Sequence, residues 1–290
     1  MITYTMLNRH NMDRFLPLWP EAFPMILATN SPEWFACGAE QERKAVGLVV
    51  AQYRSEERKG FIRHCSITPG VNHDEVKASL IHNLANNIAK RGGISVHHHF
   101  GAREEERERF SRFYLQLGFQ QPVQAFHTVL LSAKQLAEAP WIKNSRIPSA
   151  YSCFSWGELT LKERIQLERN EGNWYPYELS PFHGEGKINL RYSLGLRYNG
   201  NVIGWLIVEP KSAETALIRS LFVREPYAQQ GAGIRLFARY VQLTARDQVF
   251  GYLTGAVDAS NRPVLNFIQA YCRHAICDHI IHYEATKRLP

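Results

Sequence analysis

The sequence predicts an α+β protein built from two domains of like topology. The chain has 290 residues, 45% of them hydrophobic and 21% charged, which is enough for two cores of about 140 residues each. The same order of strands and helices is found twice along the chain. Residues 139–149, which include Pro140 and Pro148, form the best linker between the two copies. We therefore expect domains at residues 1–138 and 149–290.

The elements of the two copies follow each other in the same order. Each copy starts with an apolar hairpin strand, and in the second copy Asn199-Gly200 precedes that strand as a strong hairpin-turn signal. A strand, a helix, a further strand, a second helix and a last strand come next. The matching predictions are strands 45–53 and 202–208, strands 61–67 and 216–223, helices 75–90 and 231–244, strands 94–100 and 249–257, helices 104–117 and 262–271, and strands 126–131 and 279–284.

Composition and charge exclude several classes of protein. The net charge is +7, but basic residues alternate with acidic ones, as in residues 103–112, so we expect no nucleic-acid partner. The positive excess suits a phosphorylated cofactor. Neither an apolar signal region nor a run of about 18 apolar residues is present, so we expect a cytoplasmic protein without a membrane partner. The five cysteines lack a C-x-x-C pair, and we expect no metal, not even at His97-His98-His99, because alternate strand residues face opposite sides.

A glycine-rich turn at the start of a predicted helix is the best candidate for a ligand site. The N–H groups in the first turn of a helix lack partners within the helix, and they favour anions such as a diphosphate. Glycines let a ligand approach the backbone closely. We expect the N–H groups of the turn to bind a diphosphate, with the side chain of either glutamine adding hydrogen bonds. The residues concerned are Gln229, Gln230, Gly231, Ala232, Gly233 and Ile234.

Two segments together resemble the GNAT N-acetyltransferase superfamily. Val223, Tyr227, the Gly-x-Gly turn and the helix after it resemble that family's acyl-CoA motif. Residues 113–119, Phe-Tyr-Leu-Gln-Leu-Gly-Phe, resemble its final helix motif. The resemblance extends over nearly the whole chain as a tandem pair. It implies the three-layer α/β GNAT fold in each half, with mixed, mostly antiparallel sheets that splay apart between strands four and five.

The resemblance also implies an activity and a cofactor site. It implies transfer of an acetyl group from acetyl-CoA to a primary amine of a small molecule, by direct attack in a ternary complex and without a metal. The pantetheine arm would lie between the splayed strands, along Leu221, Phe222 and Val223, where an N–H near Leu221 or Phe222 polarises the thioester carbonyl. Asn261 would contact the pantetheine, unless it only caps the helix before Pro263.

The two halves are not equivalent at the turn. With a shift of 156 residues, which places Leu80 on Leu236, the two glycines and Gln230 fall on other residue types. Two neighbouring carboxylates there would repel a diphosphate, so we predict that residues 1–138 are a degenerate copy. The counterparts of Gln230, Gly231 and Gly233 are Asp74, Glu75 and Lys77.

The second half departs from the family at two positions. Ala228 stands where the family has Gln or Arg, and Arg224 or Arg235 would have to compensate. The family's tyrosine, the proton donor to the leaving thiolate, falls on Ile268, which cannot donate a proton. Tyr271, one turn further along the helix, is the substitute acid. The alternative is a tyrosine packed in the core with its hydroxyl at the surface. A CoA thiolate with a pKa of about 8.5 could also leave without a dedicated acid.

An aromatic segment is the candidate wall of the acceptor site. Trp174, Tyr175 and Tyr177 with Glu178 suit a cationic amine through cation–π contacts and charge pairing. Glu178 would bind the amine or deprotonate it. The alternative is a proline-stiffened loop packed on the first domain. Other residues compete for these roles: Glu171 and Glu185 as acids, and His282 as the base.

Two functions from different classes remain at this stage. The first is the acetyltransferase just described, acting as a monomer or homodimer. The second is a non-catalytic acyl-CoA-binding or regulatory protein, which the departures at Ala228 and Ile268 make credible. The sequence leaves the acceptor and the acyl length open.

Overall fold

The computed structural model describes residues 1–19 and 33–290, so residues 20–32 of the first predicted domain lie outside the described residues. The chain forms two compact units. Unit 1 comprises Met1–Ala125 and Ile281–Pro290, and unit 2 comprises Phe126–Ile280. Each unit has a mixed sheet with helices, which confirms the predicted α+β class.

The described residues form strands and α-helices that we number in chain order. The strands are β1 (Ile2–Met6), β2 (Trp34–Gln41), β3 (Lys44–Arg54), β4 (Lys59–Ile67), β5 (Ser95–Ala102), β6 (Val123–Ser132), β7 (Tyr151–Ser155), β8 (Leu194–Tyr198), β9 (Asn201–Pro210), β10 (Thr215–Val223), β11 (Tyr252–Asp258) and β12 (Ile276–Arg288). The helices are α1 (His73–Lys90), α2 (Arg107–Gln116), α3 (Ala133–Glu138), α4 (Pro140–Lys143), α5 (Leu161–Glu168), α6 (Ala232–Asp247) and α7 (Arg262–Phe267). None of these helices is long and apolar enough to cross a membrane.

Unit 1 is a sheet in the order β1-β2-β3-β4-β5-β12. Its neighbouring strands are antiparallel except β4 and β5. Helix α1 buries Val76, Leu80, Leu84 and Ile88 against this sheet, because residues three to four apart share one helix face.

Unit 2 is a sheet in the order β6-β11-β10-β9-β8-β7, in which only β10 and β11 are parallel neighbours. Successive residues of β9 face opposite sides of the sheet. Leu206 packs in a core with α6, whereas Trp205 packs in another with Leu167 of α5 and with Tyr175. Unit 2 therefore has helix α6 on one face and α5 with the following loop on the other.

The last strand of each half lies in the other unit. Strand β6 pairs with β11, with Leu131 opposite Leu253, and β12 pairs with β5, with Tyr283 opposite Phe100. The units thus differ from the predicted boundaries at 1–138 and 149–290. The alternation of a strand sequence indicates which face is buried, not which neighbour the strand pairs with.

The shift of 156 residues that aligns the two halves in sequence also aligns equivalent positions in their structures. Buried positions of α1 and α6 coincide, with Leu80 matching Leu236 in full burial. Arg63 and Arg219, which the same shift aligns, are both skipped in the strand pairing and so form β-bulges in β4 and β10. The repeat that the sequence predicts is therefore also a repeat of local irregularities.

The structure differs from the prediction in the last helix and in the linker. The helix predicted at 262–271 is α7 only as far as Phe267, followed by a wider π-helical turn over Ile268–Cys272. The predicted linker at 139–149 contains the short helix α4, which starts with Pro140 at its first position.

A buried histidine in unit 1 makes stability depend on pH. His98 is buried and forms a 2.6 Å hydrogen bond with the Tyr114 hydroxyl, and burial lowers the pKa of His98 to about 3. The unfolded chain, with an ordinary pKa of about 6.5, binds a proton that the folded state rejects. The contribution of His98 to stability is therefore fully present above pH 6.5 and is lost by about 1.4 kcal/mol per pH unit as the pH falls toward 3.

We expect His98→Asn, whose amide replaces the Nδ1 atom, to lose that pH dependence while remaining folded at pH 7. Denaturant unfolding of both proteins at pH 7 and pH 5 measures the difference. Parallel loss of stability in the two proteins would contradict the assignment.

No cluster of three or more potential metal ligands is present within the described ranges, 1–19 and 33–290, so the three consecutive histidines do not form part of one there.

Candidate active site

A gap opens between β10 and β11. The two strands pair from Thr215 to Leu217, opposite Tyr252 to Thr254. Beyond Leu217, the described strand that pairs with β10 is β9, and the one that pairs with β11 is β6. Because N–H groups alternate between the two sides of an extended strand, part of this stretch of β10 directs N–H groups at the gap. This confirms the splayed strands expected of the fold, with Leu221, Phe222 and Val223 on the separated stretch.

The β-bulge at Arg219 connects the split strand to the loop after α5. Its guanidinium lies 3.3 Å from the Glu209 carboxylate and donates hydrogen bonds to the carbonyl oxygens of Ser180 and Pro181, at 3.3 and 3.0 Å. Burial lowers the pKa of Arg219. The candidate acceptor loop is therefore fixed to β10 beside the gap.

The loop between β10 and α6, together with the first turn of α6, leaves three N–H groups without a backbone acceptor. The N–H groups of Gln230, Gly231 and Ala232 donate to carbonyl oxygens within the loop, at 3.2, 3.0 and 3.3 Å. The N–H groups of Gln229, Gly233 and Ile234 have no backbone acceptor in the described part of the chain. Half of the predicted set is thus available to an anion.

The two glycines of the turn have different roles. Gly231 has φ 74°, a left-handed conformation that favours glycine. Gly233 does not have a positive φ, and a Cβ atom there would lie 3.6 Å from Val223 Cγ2, an ordinary contact. The first glycine is needed for the turn, whereas the second leaves open space over its backbone.

The side chains around the loop are fixed by neighbours. The Gln230 amide oxygen accepts a 2.9 Å hydrogen bond from the Tyr151 hydroxyl, and Arg235 donates to the Gln230 carbonyl oxygen at 2.6 Å. The Arg224 guanidinium lies 4.1 Å from the centre of the Trp174 ring. Arg235 therefore stabilises the loop, while Arg224 lies over an aromatic ring.

The corresponding region of unit 1 is helical. The shift of 156 residues places His73, the first residue of α1, on Gln229 of the loop, whereas α6 begins only at Ala232. An additional helical turn thus replaces the open loop.

The side chains in this turn of unit 1 are also occupied. The Asp74 carboxylate binds Arg109 at 2.8 Å. Lys77 is buried, its amino group 5.3 to 5.4 Å from the ring centres of Phe110, Phe113 and Tyr114, and burial lowers its pKa. Both features support the interpretation of the first half as degenerate.

The contacts of Asn261 and Tyr271 fit their alternative interpretations, a helix cap and a packed tyrosine with its hydroxyl at the surface. Asn261 caps α7, since its side chain accepts a hydrogen bond from the Val264 N–H at 3.4 Å. Tyr271 is 50% exposed, stacks on Phe267 and accepts a 3.1 Å hydrogen bond from Trp141 at its carbonyl oxygen. Its hydroxyl has no hydrogen bond to a described residue and is free to donate. Ile268 is half-buried.

The aromatic segment divides into core and surface residues. Tyr175 is buried, its hydroxyl donates to the Leu167 carbonyl oxygen at 3.0 Å, and its ring packs against Phe222. It therefore supports the split strand and does not line an open wall. Trp174 is half-buried, Tyr177 is 63% exposed, and Glu178 is exposed without an ion pair to any described residue.

A polar cluster that the sequence did not single out lies in the same loop. The Ser180 hydroxyl donates to the Glu171 carboxylate at 2.6 Å, and His183 Nε2 lies 4.0 Å from that carboxylate. The His183 ring contacts the Tyr177 ring, with their centres 3.9 Å apart. A lone histidine in a glycine-containing loop gives no periodic signal, so only the tertiary contact with Glu171 reveals it.

The other competing residues are placed elsewhere. Glu185 forms a bidentate pair with Arg164, at 2.7 and 3.0 Å. His282 lies on β12 opposite Gly101 of β5 and stacks on His99. It therefore belongs to unit 1, because the strand that carries it is exchanged.

Comparisons with known proteins agree with this geometry. The model of the acetyltransferase (GNAT) family matches residues 158–272, which lie wholly in unit 2. A tandem GNAT protein from the clavulanic acid biosynthesis pathway is similar in fold, with TM-score 0.58, 13% identity and coverage of 99% of this chain and 98% of that one. A GCN5-related N-acetyltransferase from Sphaerobacter thermophilus gives TM-score 0.58 at 17% identity, covering 88% of this chain and 81% of that one.

A comparison with curated proteins found no match. The family model nevertheless falls on the unit in which the split strands and the open loop lie together, and the tandem arrangement extends over 99% of the chain. Residues 158–272 accordingly match the GNAT acetyltransferase family, and the chain as a whole has the fold of tandem GNAT proteins.

Proposed function

We propose that unit 2 transfers an acetyl group from acetyl-CoA to a primary amine of a small molecule, by direct attack in a ternary complex. The observation that carries this proposal is the gap between β10 and β11, which is followed by a loop and a helix start with three N–H groups available to an anion. A diphosphate at Gln229, Gly233 and Ile234 would place the pantetheine arm of the same molecule along the gap.

The chemistry then needs three protein groups. The amine nitrogen attacks the thioester carbonyl, whose oxygen is stabilised by an N–H of β10 near Leu221 or Phe222. A base takes the amine proton, and Glu178, exposed and unpaired among described residues, is the proposed residue. As the carbon–sulfur bond breaks, the thiolate takes a proton from the Tyr271 hydroxyl. Trp174 and Tyr177 would contact the cationic acceptor.

A second candidate is acyl-CoA binding without turnover. It is favoured by Ile268 at the position where the family has its acid. Calorimetry with acetyl-CoA, followed by a thiol-release assay across a panel of primary amines, distinguishes the two functions. We expect binding, and thiol release with at least one amine. Binding without thiol release for every amine would favour the second candidate, and absence of binding would contradict both.

A further inference from the structure

A polar cavity lies in unit 2, between the linker and helix α6. It has a volume of about 410 Å³ and is lined by Arg146 of the linker and by Arg235 and Arg239 of α6. Tyr151, Ser145, Ser152 and Gln242 add polar groups to its wall. None of the described residues that line it is acidic.

The positive charge of this cavity is not neutralised. Arg146 and Arg239 form no ion pair with any residue in the ranges that the structure describes. Among the described residues, Arg235 donates only to the Gln230 carbonyl oxygen. Three guanidinium groups around one cavity repel each other unless an anion lies between them.

The wall is also pre-organised. The Gln242 amide donates to the carbonyl oxygens of Ile142 and Ser145, at 2.6 and 3.1 Å, so the linker that carries Arg146 is fixed to α6. Tyr151 and Arg235 contact the two ends of the same residue of the glycine loop, Gln230. A ligand in the cavity would therefore touch the residues that fix this loop.

We propose that this cavity binds a phosphate group. Planar guanidinium groups match the oxygen geometry of phosphate through paired hydrogen bonds, and the hydroxyl groups of Ser145 and Ser152 add further donors. The phosphate is either the 3′-phosphate on the adenosine of CoA, a source that rests on the proposed function, or that of a separate phosphorylated metabolite.

Titration calorimetry with inorganic phosphate, CoA and 3′-dephospho-CoA tests this site. The variants are Arg146→Gln and Arg239→Gln, both of exposed residues. The matched control is Arg246→Gln, an equally large change of charge on α6 at a residue outside the cavity. Because one charge-assisted hydrogen bond is lost, we expect each cavity variant to bind phosphate about 10-fold more weakly, and the control to bind it as the wild type does.

The two sources of phosphate give different results. Weaker binding of CoA with unchanged binding of 3′-dephospho-CoA would identify the phosphate as that of CoA. Weaker binding of inorganic phosphate with unchanged CoA affinity would identify a separate ligand. Wild-type affinity of both cavity variants for all three probes would overturn the proposal.

Discussion

Gly233→Glu is expected to abolish binding of acetyl-CoA while unit 2 remains folded. The new Cβ atom meets only Val223 at 3.6 Å, so the fold accommodates a side chain. A carboxylate at that point faces the two N–H groups, of Gly233 and Ile234, that are proposed to bind the diphosphate. Repulsion of about 1 to 4 kcal/mol per charge pair at 4 Å should weaken binding about 5-fold to about 700-fold for each phosphate charge that the carboxylate meets. Calorimetry measures the affinity, and thermal unfolding measures the fold.

Two further variants make this result interpretable. Gly233→Ala adds a methyl group without charge and should weaken binding much less. Lys77→Glu makes the corresponding change in unit 1, where it removes an amino group that lies over aromatic rings. It should lower the unfolding temperature, because it buries a carboxylate, yet leave CoA affinity unchanged. Equal losses of affinity for Gly233→Glu and Lys77→Glu would refute the assignment of the degenerate half.

The sequence predicted most strands and helices because their signals are local. The hairpin turn at Asn199-Gly200, the apolar runs and the 156-residue repeat depend on neighbouring residues alone, and the structure has elements at these places. The exchange of β6 and β12 could not be predicted, because the alternation within a strand does not specify which strand it pairs with. The π-helical turn that follows α7 could not be predicted either. The residue pattern alone does not distinguish α-helical from π-helical hydrogen bonding.

Residues of the candidate site could be predicted where the backbone conformation strongly favours one residue type. Gly231 was placed correctly at the helix start because a left-handed turn favours glycine. The roles of the N–H groups were only half predictable, since three of the six donate within the loop. Tyr175 was expected at an open wall, but it is buried against Phe222, because an aromatic residue suits a core and a binding surface equally well. His183 became a candidate only through its contacts.

Replacing the base should give the other large effect. An amine with a pKa of about 10.4 must lose a proton before it attacks, which costs roughly 4 to 5 kcal/mol at pH 7. General-base catalysis contributes about 100-fold to 10,000-fold. We therefore expect Glu178→Gln to lower kcat/KM at pH 7 at least about 100-fold, with acetyl-CoA affinity unchanged. Because free amine becomes more abundant at high pH, the loss should diminish as the pH rises toward the pKa of the amine.

Glu171→Gln is the matched control, since it makes the same chemical change in the same loop. It removes the acceptor of the Ser180 hydroxyl and the neighbour of His183. We expect a smaller, pH-independent loss, because this carboxylate positions the loop. If Glu171→Gln shows the large pH-dependent loss and Glu178→Gln does not, the base is the Glu171–His183 pair and the assignment of Glu178 is wrong. Tyr271→Phe distinguishes acid from base, because its effect should disappear above the thiol pKa of about 8.5, where the thiolate leaves without a proton.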